Sequence, residues 1–361
     1  MNYGKFVFCV CAVLMTAAVF AADNNAVATP SPGLRYATDA YPGFDNEDEI
    51  VRPSKKAKRW FQFFTGPKMQ TAAEQFAWAA QCEANQSWSK ARRAYDAVVR
   101  NWPTSSEAPK AQAKVAEIYL VHDQDFDEAF AEYRYLADFY SLQCDYNAVL
   151  QKLYQIATLM KDEGKRIFFC RFDNTVDTRR AFEAVVLRSP GAAYAPAAML
   201  TIARLREDEG KFGHAVTVYE NLRNLYGGTA EAAKALHEEA RVRMAILEEH
   251  GYNRQRTLDT VSFLKLALKQ PNDEAVDRDL RQWLDRAEAL LEEEAWKSAK
   301  FYDSRTRTLR SAINAYEQFL LGYPRGVHAE EAKARLEELK SPPKAAAPAE
   351  ETQPEEEKEN E

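Results

Sequence analysis

The stretch "AINAYEQFLLGYPRG", Ala312–Gly326, carries Ile313, Tyr316, Phe319, Leu320 and Tyr323 at the three- and four-residue spacing of one helix face, then meets Pro324. That spacing predicts an amphipathic helix which the proline terminates. One helix cannot bury an aromatic stripe by itself, so other helices must cover it.

The same phrase runs up the chain. Eight residues separate Tyr316 from Pro324, and the same offset links Tyr95 to Pro103, Phe182 to Pro190 and Phe263 to Pro271; Tyr133 and Tyr219 lead to Ser141 and Gly227. Four residues before the aromatic stand Ala91, Ala129, Ala215 and Ala312, with Thr178 and Asp259 as exceptions, and seven after it stand Trp102, Tyr140, Tyr226 and Tyr323. Helical periodicity also precedes these anchors, in "AAEQFAWAAQCEA", "APKAQAKVAEIYL", "YAPAAMLTIARLRED" and "LEEEAWKSAKFY". The repeating unit is therefore a helical hairpin: alanines let two helices approach, the aromatic fills the space beside them, and Pro or Gly ends the second helix. Alanine, an aromatic four later and proline eight after that is the second-helix signature of the tetratricopeptide repeat, a unit of about 34 residues. The anchors here lie 38, 49, 37, 44 and 53 residues apart, so loops or helices have grown between them. The pattern from Asp273 to Tyr302 contains no breaker and predicts one long helix feeding the last hairpin. The fold expected over 60–340 is all-α, a right-handed superhelical solenoid of about five to six such hairpins.

Outside the array the composition changes. Residues 1–21 combine Lys5, an apolar run from Phe6 to Phe20 and small residues at Val19 and Ala21, the pattern of a secretory signal peptide cut after Ala21. Residues 22–59 are rich in Pro, Gly, Asn and acidic side chains and are expected to form a disordered linker. It leads into "KKAKRWFQFFTGPK", whose Trp60, Phe61, Phe63 and Phe64 are expected to cap the first hairpin, or else to lie on an anionic membrane surface. The acidic tail, 341–361, holds seven Glu against two Lys and is expected to stay solvated and disordered.

The formal net charge of -7 argues against nucleic acid as a partner, since phosphate binding needs clustered Lys and Arg. Cys9 and Cys11 would leave with the signal; Cys82, Cys144 and Cys170 then remain, an odd number that fits free thiols better than a disulfide framework, although a Cys144–Cys170 bridge stays open. His122, His214, His237, His250 and His328 lack metal-ligand spacing and are expected on helix ends or polar faces. "NLYGGTAEA" reads as a helix terminator followed by a Thr229 N-cap rather than an anion site. No cofactor, metal or catalytic constellation is legible, and the carboxylate-rich helices read as solvated faces. The expectation is a non-enzymatic protein.

Two stretches, "NTVDTRRAFEAVVLRSPGAAYAPAAMLTIARL" and "AEALLEEEAWKSAKFYDSRTRTLRSAINAYEQFLLGYPRGVHAEEAKARLEEL", resemble the middle and last repeats of the BamD-type outer-membrane protein assembly factors, and the likeness covers about Gln70 to Leu339. It implies a scaffold in the periplasm, associated with the outer membrane and at most peripheral to it. Its partners would be a barrel assembly protein, bound through that protein's periplasmic domains, and unfolded outer-membrane proteins or peptides. Members usually carry a lipidated Cys after the signal peptide and an Arg one position before the last anchor; this chain has no such Cys motif and has Ala315 in place of that Arg. A different class, a periplasmic cell-envelope coordinator with division or peptidoglycan partners, is the alternative. Repeat register places Lys110, Ala113, Glu117, Leu200, Arg204, Glu207, Trp296 and Lys300 on the first-helix face expected to receive partners, with Trp296 and Lys300 as the docking pair of the last repeat.

Overall fold

A computed structural model describes residue 44 and residues 66–163, 165–167, 170–172, 175–249, 252–305 and 308–341. The signal peptide, the aromatic segment at 60–64 and nearly all of the acidic tail lie outside the described residues, as does the linker apart from Phe44, which is buried. The chain forms two compact units, the first reaching Val242 and the second beginning at Arg243.

In the first unit, helices pair in chain order: α1 (Ala72–Ala84) with α2 (Trp88–Asn101), α3 (Ala108–Ile118) with α4 (Phe126–Phe139), α5 (Tyr146–Glu163) with α6 (Thr175–Arg188), and α7 (Ala195–Asp208) with α8 (Phe212–Leu225). Helices α2, α4 and α6 also pack on the next first helix, α3, α5 and α7, so each of these hairpins has its apolar stripe covered by its successor. The anchors behave as the spacing requires. Tyr95, Phe182 and Tyr219 are buried, and Ala91, Ala129 and Ala215 are fully enclosed where the helices approach. The aromatic column seven residues on has a polar task as well: Tyr140 Oη donates to the carbonyl of Pro103 at 2.9 Å, and Tyr226 Oη to that of Pro190 at 2.7 Å.

Helix α9 (Ala230–Glu249) starts at the expected cap, with Thr229 Oγ1 accepting from the Ala232 N–H at 3.2 Å, and it carries the chain from the first unit into the second. The second unit continues with α10 (Arg254–Ala267), α11 (Glu274–Arg305), α12 (Leu309–Gly322) and α13 (Ala329–Lys340). The long helix expected from Asp273 to Tyr302 is α11, 32 residues in all. It packs on α10 and on α12, while α13 closes the last hairpin. The core here is Trp296, Ala299, Tyr316, Phe319 and Ala332, flanked by Leu336 and Leu339.

The irregular anchor spacing now has physical causes. The interval of 44 contains the 20-residue α9, and that of 53 contains α11. The interval of 49 contains the 18-residue α5 and an insertion that periodicity did not announce, an antiparallel ribbon of β1 (Lys165–Ile167) and β2 (Cys170–Phe172) in register Arg166↔Arg171. The class is all-α with that one addition among the described residues. Cys144 is a free thiol, as is Cys82, so no Cys144–Cys170 bridge forms.

In the carboxylate-rich stretches "LEEEAW" and "LEEH", Glu248 and Glu249 are exposed and Glu292, Glu293 and Glu294 half-buried, whereas carboxylates elsewhere are enclosed. Arg179 and Arg206 are buried together with Glu183 and Glu209: Arg179 Nη1 lies 2.7 Å from Glu183, Arg206 Nη2 lies 3.2 Å from Glu183, and Glu209 joins both arginines. The two buried arginines face two carboxylates, and the exposed Lys211 reaches Glu209 from outside at 3.0 Å, so every buried charge has an opposite partner and the cluster persists where an isolated charge would not. A second buried pair ties α6 to α4, with Arg188 donating to Asp138 at 3.0 and 3.2 Å.

Candidate functional site

The residues that repeat register assigned to partners do not form one accessible surface. Trp296 is 4% exposed and Leu200 is 7% exposed. Both are core side chains, and the docking role expected of them is corrected accordingly. The Trp296 ring stacks on His328 at 4.9 Å and lies 5.8 and 5.4 Å from the Tyr316 and Phe319 rings, which accounts for its large apolar area inside the fold. His328 is thereby half-buried between that ring and Glu293, whose carboxylate is 3.1 Å from Nε2.

Glu207 and Arg204 are used between neighbouring repeats. Glu207 accepts from Tyr219 Oη at 2.6 Å and from Arg241, while Arg204 reaches Glu238 at 3.1 Å. An equivalent tie stands in the first hairpin, where Tyr95 Oη donates to Glu83 at 2.6 Å and Lys114 reaches the same carboxylate at 3.0 Å. A third occurs in the second unit: Tyr316 Oη donates to Asp303 at 3.0 Å, and Arg335 holds Asp303 at 2.9 and 3.2 Å. Each tie joins the anchor tyrosine, a carboxylate on its own first helix and a cation from the next helix. Arg335 holds the Asp303 carboxyl below its ordinary value, with partial burial opposing and Tyr316 assisting. Burial, and then Asp303, push the Tyr316 phenol up to about 12. Glu117 accepts from Lys114 at 3.0 Å, and Lys300 lies over the Trp296 ring, 3.6 Å from Glu331. Lys110 and Glu117 are exposed, and Ala113 is half-buried.

Among the described residues, a cleft opens within the second unit, beside Trp296 and Lys300. One stripe of α12, Ser311, Asn314, Ala315, Gln318, Phe319 and Gly322, faces a stripe of α11 comprising Glu294, Ala295, Ser298, Ala299 and Tyr302. The spacing of each stripe puts its residues on one helix face. Between them runs a cleft of about 850 Å³, lined also by Tyr252, Arg254 and Tyr323. Alanines and Gly322 line much of it, the tyrosines supply apolar walls with polar tips, and Ser, Asn and Gln supply hydrogen-bonding groups. Ala315, where the resembled family carries Arg, belongs to this lining, and its small side chain leaves the cleft open. Burial raises the Tyr323 and Tyr252 phenols, and Arg254 opposes the rise at both.

Sequence reading missed this cleft because Ser311, Asn314 and Gln318 look like the ordinary solvated side of an amphipathic helix. Only the pairing of α11 with α12 makes them converge. Among the described residues no group of three or more His, Cys, Asp or Glu is placed to hold a metal ion, and no helix is long and apolar enough to cross a membrane.

No protein family and no curated protein matches the chain. Solved structures that resemble it include a tetratricopeptide repeat protein from Parabacteroides merdae ATCC 43184, at 12% identity and a TM-score of 0.28 over 75% of this chain and 99% of that one. The Pseudomonas aeruginosa pilF protein gives 13% identity and a TM-score of 0.25 over 73% and 97% of the two chains. The fold assignment rests on the helix packing described above rather than on these likenesses.

Proposed function

We propose that the protein is a non-catalytic interaction scaffold whose second unit binds a peptide segment of a partner protein in the α11/α12 cleft. The observation that carries this reading is the cleft itself: two facing helix stripes of small and polar residues, walled by tyrosines, with room for a backbone to lie against them. Helical hairpins commonly serve such binding because stacking fixes the helix faces while their exposed side chains vary freely. The sequence resemblance supplies the finer reading. It makes the partner a barrel assembly protein of the outer membrane, with unfolded outer-membrane proteins as cargo, and the secretory leader read at 1–21 agrees with a periplasmic site of action.

Affinity capture from detergent-solubilised envelopes tests this, comparing the parent chain with Asn314→Arg. Asn314 is exposed, so the change fills the cleft without disturbing the core. The parent should retain the barrel assembly protein and the variant should lose it, with unchanged circular dichroism and thermal midpoint. Equal capture by both would move docking away from the cleft. Absence of a barrel assembly protein from both would refute the assigned partner.

A further inference from the structure

We propose that the segment bound in the cleft is an amphipathic α-helix of a partner protein, with an acidic side chain at the end that meets Arg254. Resting on the peptide-site reading, this fixes the conformation and the charge of what enters. Helix α10 explains why the cleft exists. It has 14 residues against the 32 of α11, on which it packs. Near its far end Lys265 reaches Glu288 at 2.7 Å, while its first residue, Arg254, lines the cleft together with Glu294. The last turns of α11, after Glu294, therefore run past the start of α10. One stripe of α11 records this: Leu280, Leu284, Ala287 and Leu291, then Glu294, Ser298 and Tyr302, stand three and four residues apart on one helix face. Leu280, Ala287 and Leu291 are buried, and Glu294, Ser298 and Tyr302 line the cleft. The cleft thus continues the track of α10 along α11. In the first unit α3, α5 and α7 are each covered by the helix before them; here the preceding helix is too short to do so, and the vacancy has the shape of a helix.

The walls favour a helix over an extended chain. Both are helices whose main-chain groups bond internally, so an extended segment finds no strand edge to pair with and leaves most of its own N–H and C=O groups unmet. A helix arrives with its main chain satisfied and needs only side-chain contact. Ala295, Ala299, Ala315 and Gly322 allow it to come close, as Ala91, Ala129 and Ala215 do where helices of the first unit meet. The α12 wall from Ser311 to Tyr323 is about 18 Å long at the helical rise, which a helix of about 12 residues spans. Tyr252, Tyr302 and Tyr323 offer aromatic area to its apolar face. Two charged residues belong to the lining. Glu294 accepts from Lys297 at 2.9 Å, whereas Arg254 is exposed and has no ion pair among the described residues. The end beside Tyr252 and Tyr323, where Arg254 acts on both phenols, therefore presents an uncompensated cation, and an acidic side chain complements it.

The probe is a phage-displayed library of random peptides of about 16 residues, panned on the full chain and counter-selected on Asn314→Arg. Enriched sequences should carry apolar residues at three- and four-residue spacing, lack internal proline and hold an acidic residue near one end. A synthetic peptide of the leading sequence should gain helical circular dichroism on binding, and a proline at its centre should weaken it at least tenfold. Arg254→Glu should weaken it about tenfold, and changing the acidic residue of the peptide to Lys should restore binding to that variant. Arg254 opens α10, where Glu suits the helix N-terminus, so the variant keeps its fold. Proline-rich or alternating sequences, no enrichment beyond Asn314→Arg, or binding indifferent to the charge at Arg254 would each overturn the proposal. A dimer that sediments for the parent and is lost in Asn314→Arg makes a second copy the occupant, which overturns it too. The two readings fail separately. Extended peptides that compete with envelope capture keep the peptide site and sink the helix. Helical peptides that bind the cleft without competing keep the helix and sink the assigned partner.

Discussion

Replacing Tyr316 by Ala and by Phe separates the two roles of the anchor. The ring is 2% exposed and packs against Trp296 and Phe319, while its hydroxyl donates to Asp303 at 3.0 Å. Truncation to Ala removes a buried aromatic and leaves a cavity, which costs about 3–5 kcal/mol. Phe keeps the ring and deletes one hydrogen bond. Bonds to a charged acceptor are worth about 1.5–3 kcal/mol, but Asp303 keeps both bonds to Arg335 and touches solvent, so the expected loss is about 1 kcal/mol. Urea denaturation, followed by hydrogen exchange in α11 to α13, measures both. The phenol also sets an alkaline limit. Its folded value near 12 exceeds the ordinary 10, so the bound proton stabilises the folded state fully below about pH 10, and that contribution is lost as the pH rises toward 12. Phe should flatten this part of the stability profile. If Phe costs as much as Ala, or if exchange quickens equally around Tyr95 in the first unit, the reasoning of a local anchor with a separate hydroxyl tie is wrong.

Two further outcomes follow from backbone strain and buried charge. Gln86 and Gln124 sit at positive φ, 55° and 51°, in inter-helix turns where the fourth hairpin uses Gly210 at 71°. Replacing either with Gly should raise stability by about 1 kcal/mol in urea titrations, because Cβ is penalised in the left-handed region; a loss would mean the glutamine side chains hold these turns. Arg179→Met should cost about 3–5 kcal/mol by leaving Glu183 and Glu209 undercompensated, whereas Arg179→Met with Glu183→Leu should cost less; a double variant worse than the single would contradict charge balance as the cause.

The hairpins were legible because their signal is redundant: an aromatic, an alanine four before it and a breaker eight after it all report one geometry. The long α11 was legible for the same reason, as an unbroken run of helical period. Other features left no such trace. The β1/β2 ribbon lies in "GKRIFFCRFDN", too short for a period, and only the 49-residue anchor interval hinted that something had been inserted there. Arg179 and Glu183 are four apart on a helix, which is also the spacing of a solvated surface pair, so nothing local told their burial. Trp296 misled in the opposite sense. A tryptophan near a polar helix face suggested an interface, but His328 arrives from α13 to stack on it, a contact 32 residues distant in sequence. The cleft depends on two helices whose facing stripes look unremarkable when each is read alone.

The bonds from Tyr140 and Tyr226 to the carbonyls of Pro103 and Pro190 have an evolutionary consequence. The acceptor is main chain, so every residue type presents it, and no substitution at the terminator position can delete it. The donor is a side chain, and any change from tyrosine erases it. Drift should therefore be lopsided. In this chain the terminators that accept are Pro103 and Pro190, whereas the repeats ending in Ser141 and Gly227 are followed by Ser189 and Gln270 in the tyrosine column, so there it is the donor that has drifted.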